Sequence, residues 1–188
     1  MAQITVDLMK EITETAEDNG ALLVGTTKIC VTQPVIMLGF PFIDDWFVDK
    51  PFAVAKDLAE EYKISRHVQD LTAEILKNEG YKAEYKTVLS LFGDFRPLAV
   101  DAGLGHWGRN GLVVNKEHGS GLLFAAIFTD APLEKSPRAE LEHCHGCGEC
   151  VQACPADAFA NGRLNYRKCF PQAIRGCHEC ISACKNSR

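Results

Sequence analysis

Eight of the nine cysteines in this 188-residue chain fall between residues 144 and 184. They form two runs: Cys144, Cys147, Cys150 and Cys154 followed by Pro155, then Cys169 alone, then Cys177, Cys180 and Cys184. Thiols at this density either cross-link or bind metal, and the redox compartment decides which. The opening residues, MAQITVDLMKEITETAEDNG, have no basic start, apolar core or twin arginine. The expectation is therefore a cytoplasmic, reducing location in which the thiolates hold metal.

The spacing narrows the metal. Gaps of two residues let one loop wrap three corners of an iron–sulfur cluster, and a fourth cysteine followed by proline points away toward a second cluster, as in bacterial ferredoxins. Eight thiolates complete two 4Fe–4S clusters. Crossing the ligands assigns Cys144, Cys147, Cys150 and Cys184 to one cluster, and Cys154, Cys169, Cys177 and Cys180 to the other. Zinc is the competitor, but its modules usually carry two separated pairs. His143, His145 and His178 are expected near the clusters or in solvent, not as ligands. Two details depart from a plain ferredoxin: Cys169 stands fifteen residues after Cys154, and Lys185, not proline, follows Cys184.

Composition bounds the rest. A hydrophobic fraction of 46% and a charged fraction of 24% are those of a globular protein. No apolar run approaches the ~20 residues of a membrane span. The net charge of −5 is uneven, with seven Lys/Arg against five Asp/Glu in residues 138–188 and thirteen against twenty before them. Neither part has the strongly basic surface of a nucleic-acid binder, so no nucleic-acid partner is expected.

The elements that would position the cysteines read as α/β. Ile4, Leu8, Ile12 and Ala16 recur at four-residue steps over an amphipathic helix at 3–18, closed by Asn19-Gly20. Residues 21–25 and 35–40 read as buried strands, with Cys30 a buried thiol in the loop between them. Phe40 to Pro51 is an aromatic loop, either a flap over the core or the lining of a pocket. Residues 52–78 are helical, with a break at Ile64-Ser65. Strands follow at 81–89, 112–114 and 122–129, the last two joined by a turn at 118–121. The stretch DAGLGHWGRNG at 101–111 carries four glycines, which permit positive φ and close backbone approach. Pro132 and Pro137 mark the boundary between a domain at 1–137 and a cysteine module at 138–188.

Together AGLGHWGRNGLVV at 102–114, GSGLLFAAIFTDAPLE at 119–134 and the cysteine module resemble a short member of the family of epoxyqueuosine reductases and reductive dehalogenases, the cobalamin-dependent iron–sulfur reductases. The glycine stretch is closer to the dehalogenase form, since the other form usually has lysine where Arg109 stands. The resemblance implies a nitroreductase-like α/β domain that holds cobalamin, followed by a bacterial-type two-cluster ferredoxin module. It implies that Gly103, Gly105, Gly108, Arg109, Asn110 and Gly111 lie at the corrin. The acidic proton donor of epoxyqueuosine reductases is missing from TVLSLFGDFRPL, where Leu89 takes its place and Asp94 stands nearby. Dehalogenases use a tyrosine, for which Tyr81 and Tyr85 are candidates, and His106 is a further one.

The expected function is that of an oxidoreductase, passing low-potential electrons from a donor protein through the clusters to bound cobalamin. The acceptor beyond it would be a small substrate or another corrinoid protein. The alternatives are a ferredoxin-type electron carrier without corrinoid and a corrinoid-binding or delivery protein.

Overall fold

The computed structural model describes residues 2–30, 32–42, 51–86, 94–138, 144, 146–159 and 164–184, with the side chains of 2–5 and 51–58 outside the description. Two compact units emerge: Met1–Phe40 with Glu60–Leu104 and Leu123–Arg138, and Pro41–Ala59 with Gly105–Leu122 and Ala139–Arg188.

The first unit is built on a four-stranded sheet in the order β1-β2-β6-β3. Strands β1 (Leu23–Ile29) and β2 (Gln33–Pro41) form an antiparallel hairpin, and β3 (Ala83–Lys86) pairs antiparallel with β6 (Leu122–Thr129). Helices α1 (Ala2–Asp18) and α2 (Pro51–Asn78) supply one apolar layer. Leu8, Ile12 and Ala16 of α1 meet Val68 and Leu76 of α2, Ile36, Leu38 and Phe40 of β2, and Ala125 and Ile127 of β6 in one core. The residues of each strand in that core alternate, as one face of a sheet requires. Each fully buried large side chain contributes about 1.5–3 kcal/mol.

The opposite face is set by a missing side chain. A β-carbon at Gly25 would lie 2.6 Å from the Ala102 carbonyl oxygen, so glycine lets the chain after α3 (Arg96–Asp101) lie directly on β1. Two residues along the same face, the Thr27 hydroxyl donates to Asp101 Oδ2. Val35 and Met37, which pair with Thr27 and Gly25, are wholly buried.

The expected helix at 3–18 and its C-terminal glycine are present, with Gly20 at φ +109 and Ala21 N–H donating to the Ala16 carbonyl. The expected break at Ile64-Ser65 is absent. Ser65 instead donates its hydroxyl to the Tyr62 carbonyl at 3.0 Å, which satisfies it inside a continuous α2. Cys30 is exposed, not buried, because it sits at φ +50 in the turn of the β1–β2 hairpin. Most of the aromatic loop, residues 43–50, and residues 87–93, which include Leu89, lie outside the described residues.

The second unit contains a two-stranded hairpin of β4 (His106–Trp107) and β5 (Val113–Val114), and three short helices. These are α4 (Glu149–Gln152), α5 (Tyr166–Ala173) and α6 (Glu179–Ser182).

Candidate metal centre

The two cysteine runs fold alike. Glu149-Cys150 opens α4 after Gly148, which adopts φ +83, and Glu179-Cys180 opens α6 after His178. Ala153 N–H returns to the Glu149 carbonyl and Ala183 N–H to the Glu179 carbonyl, both at 2.9 Å. Each run thus makes one tight helical turn between its second-last and last cysteine, and α4 and α6 pack on each other. Helix α5 carries Cys169 and is capped by Asn165, whose side-chain oxygen accepts from Arg167 N–H at 3.1 Å.

Electrostatics gather the thiols into two neighbourhoods that meet at Cys150 and Cys180. The Cys150 thiol is pushed up first by burial and then by Cys184, Cys144 and Cys147. Cys169 is raised by burial, then by Cys154 and Cys177. Cys180 is pushed up to about 12, by burial above all, then by Cys169, Cys177, Cys150 and Cys154. A thiolate in either group is costly unless a cation neutralises it. Among the described residues no three Cys, His, Asp or Glu side chains converge on a point that a single ion would need. Thiols arranged around a volume and not a point suit a multi-iron cluster better than a tetrahedral zinc ion.

One such volume is visible. A cavity of about 200 Å³ is walled by Cys169, Cys177 and Cys180 together with Phe42, Leu112, Phe159, Leu164 and Ile181. The three cysteines stand in a lining that is otherwise mostly apolar, with Asn110 and His178 its polar members. Cys154 accepts an N–H bond from Ala158 at 3.3 Å on its sulfur. His178 lines the same cavity and its Nδ1 lies 3.0 Å from the Gly176 carbonyl, which fixes the ring. The residues present therefore fit a 4Fe–4S cluster. His143 and His145 lie outside the described residues.

Part of the glycine stretch belongs to this unit, as a clasp. Arg109 donates from Nη1 to the Gly146 carbonyl at 3.1 Å, on the loop between Cys144 and Cys147. Asn110, buried, points Nδ2 at the Cys180 carbonyl at 3.5 Å while its Oδ1 accepts from Leu112 N–H at 3.1 Å. A β-carbon at Gly105 would lie 2.6 Å from the Val114 carbonyl oxygen, and one at Gly108 would lie 2.7 Å from Asn110 Oδ1. At Gly111 the space opens onto Leu164, at 3.6 Å. These glycines give room to the hairpin's own partners. Gly103, at φ +78, belongs to the first unit and turns the chain after α3.

The other candidates are dispersed. Tyr81 packs against the first unit's core. Tyr85 donates its hydroxyl to Asp70 at 2.7 Å under the Arg66 guanidinium, and that hydrogen bond to a carboxylate raises its pKa. Asp94 is clamped by Arg96 through Nε and Nη2, both at 2.7 Å, which holds its carboxyl below the usual range. A carboxyl kept ionised is a poor proton donor. His106 is half-buried in β4, in the same unit as the cysteines.

Comparison with known proteins agrees with the thiol chemistry. Residues 139–160 match the model of the 4Fe-4S binding domain. Over 75 residues the chain is 40% identical to the epoxyqueuosine reductase of Pseudomonas aeruginosa, covering 39% of this chain and 21% of that one. The chain thus spans about a fifth of the length of that relative in the match. A crystal structure of epoxyqueuosine reductase with a tRNA-Tyr epoxyqueuosine-modified stem loop is similar at TM-score 0.77 and 17% identity, over 97% of this chain and 66% of that one. A reductive dehalogenase whose structure suggested a mechanism for B12-dependent dehalogenation is similar at TM-score 0.79 and 17% identity, over 94% of this chain and 31% of that one.

Proposed function

We propose, for a chain that belongs to the family of epoxyqueuosine reductases and reductive dehalogenases, an iron–sulfur redox function in which two 4Fe–4S clusters carry low-potential electrons one at a time. The observation that carries this reading is geometric: Cys169, Cys177 and Cys180 line one cavity, and the helices that carry Cys150 and Cys180 pack on each other. Cys144, Cys147, Cys150 and Cys184 would hold one cluster, and Cys154, Cys169, Cys177 and Cys180 the other. The clusters supply one-electron chemistry when bound; the chain's own residues set its terms. The Ala158 amide withdraws charge from the Cys154 sulfur, and the mostly apolar wall would lower the dielectric around the thiolates.

Residues 1–137 would be a nitroreductase-like α/β domain and 138–188 the two-cluster module, served by the hairpin at 106–114. Likeness to a dehalogenase discussed for B12-dependent chemistry supports cobalamin as the electron acceptor. The glycines of the hairpin make room for its own backbone and side chains, at Val114 and Asn110. That same observation favours a second reading, a ferredoxin-type electron carrier. One structural neighbour was solved with a tRNA stem loop; the net charge of −5 supports a reading without nucleic acid.

Anaerobic reconstitution with iron and sulfide tests the proposal. Expected are iron and sulfide for two clusters per chain, a broad visible absorption that bleaches on reduction, and the EPR of two interacting centres. A colourless protein that binds zinc ions in their place overturns it. Cys184→Ser is expected to perturb the cluster of Cys144, Cys147 and Cys150 and to spare the other; the reverse pattern would sink the crossed assignment. Titration of the reconstituted protein with cobalamin then separates the acceptor readings. A changed Co(II) EPR spectrum supports a corrinoid, and an unchanged one supports the carrier.

A further inference from the structure

Helix α5 exposes an apolar stripe beside the second group of thiols. Tyr166, Phe170 and Ile174 recur every fourth residue, which places them along one side of the helix and its last turn. They are 60%, 66% and 64% exposed, and among the described residues of this unit only Trp107 joins them as an exposed large apolar side chain. Apolar surface gathered in one strip, and not scattered, marks an interaction site.

Position and charge identify what it meets. Cys169 immediately precedes Phe170, and Cys177 follows Ile174 by three residues. Cys169 and Ala173 of the same helix line the cavity, so the stripe runs next to the face that looks inward. Helix α5 thus ties the stripe to this group of thiols through Cys169. Around the stripe, Arg167, Lys168 and Arg175 are all exposed, and Glu179 is the one acid in residues 164–184. Lys168 reaches Asp157 at 3.7 Å, whereas the two arginines flank the apolar residues at either end of the helix. In a chain of net charge −5 this is a local basic rim around an apolar strip. Such a pattern complements an acidic partner and speeds its encounter.

We propose that α5 is the docking face for a small acidic one-electron carrier protein, which gives its electron to the cluster held by Cys154, Cys169, Cys177 and Cys180. The proposal rests on the two-cluster reading. The step moves one electron: the carrier is oxidised by one, the cluster is reduced by one, and no proton or atom changes hands.

The test uses the reconstituted protein and an acidic plant-type 2Fe–2S ferredoxin as probe. Calorimetry is expected to show binding that weakens roughly tenfold or more between low and high salt. The double variant Phe170→Ser, Ile174→Ser is expected to weaken binding at least about tenfold, the loss of a central apolar anchor. Arg167→Glu with Arg175→Glu is expected to abolish the salt dependence. In all variants the cluster spectra and reduction by dithionite stay as in the unsubstituted protein. Unchanged ferredoxin binding in both double variants overturns the proposal. So does a stripe that instead sustains a homodimer, seen as a monomer only after Phe170→Ser, Ile174→Ser, or one whose loss abolishes binding of an RNA stem loop while ferredoxin binding persists. Failure of the unsubstituted protein to take up clusters counts against the two-cluster reading, while the binding constants still judge the docking face.

Discussion

Asp101 shows how much of the first unit hangs on one carboxylate. It accepts from Lys135 Nζ at 2.5 Å, from the Thr27 hydroxyl and from Arg138 Nη2 at 2.9 Å. Those donors, Lys135 foremost, hold its carboxyl well below the ordinary range. A carboxyl depressed in the folded state lends stability that is complete above its unfolded value of about 3.9 and is lost as pH falls below it. Asp101→Asn is therefore expected to lower stability by about 2 kcal/mol at pH 7. It should also flatten the acid limb of a series of thermal unfolding curves between neutral pH and pH 3. At this scale the sequence was legible where chemistry demands a residue type at a fixed interval, as with the eight cysteines. It was silent on Asp101, because an acid after a helix looks like an ordinary turn residue, and it singled out Asn110 only by resemblance, for a corrin and not for the Cys180 carbonyl. Their partners, Lys135 and Cys180, lie 34 and 70 residues away, beyond any local pattern.

Among the elements, the β4–β5 hairpin does most for the site. Neighbouring residues at its tip reach different cysteine loops, Arg109 to Gly146 and Asn110 to Cys180. Asn110→Ala removes a buried group with two roles and is expected to cost about 1–3 kcal/mol. Its effect on EPR should fall on the cluster of Cys180. Arg109 is exposed, so Arg109→Ala should cost less than about 1 kcal/mol and touch only the Cys144–Cys147 loop. Equal effects of both variants on both clusters would contradict this separation. Gly105→Ala drives a β-carbon against the Val114 carbonyl, and a loss of about 1–3 kcal/mol in a urea melt is expected. Helix α1 and strands β1, β2 and β6 were legible from period and punctuation, although β1 runs on to Ile29. Helix α3 was not, since Pro97 in a mixed segment reads as interruption when it in fact occupies the first turn. The continuity of α2 was hidden too, because a serine after a β-branched residue reads equally as a cap or as a hydroxyl bonded to its own helix.

Across the molecule, chain order and spatial unit part company. The unit that contains the cysteines draws on residues 41–59 and 105–122 as well as 139–188. Phe42 and Leu112, which wall the cavity, come from those earlier segments. A fragment of residues 138–188 is accordingly expected to bind less than two clusters' worth of iron, and co-expression with residues 1–137 to restore the remainder. Full loading of the fragment alone would refute that expectation. The alternation of sheet and cysteine segments was not visible in sequence, where a proline-marked boundary and a change in charge pointed to a simple division near residue 137.

The clasp has a consequence for how such a protein can be rebuilt or inherited. A cysteine-rich tail that completes its walls with side chains from far upstream is not a cassette. Moved onto another scaffold with every cysteine intact, it would leave behind the amide over Cys180 and the aromatic ring of Phe42, and the cavity of Cys169, Cys177 and Cys180 would lose part of its wall. Changes in the hairpin and changes in the tail therefore have to be tolerated together, and recombination at the apparent boundary is expected to yield chains that keep their iron only briefly in air.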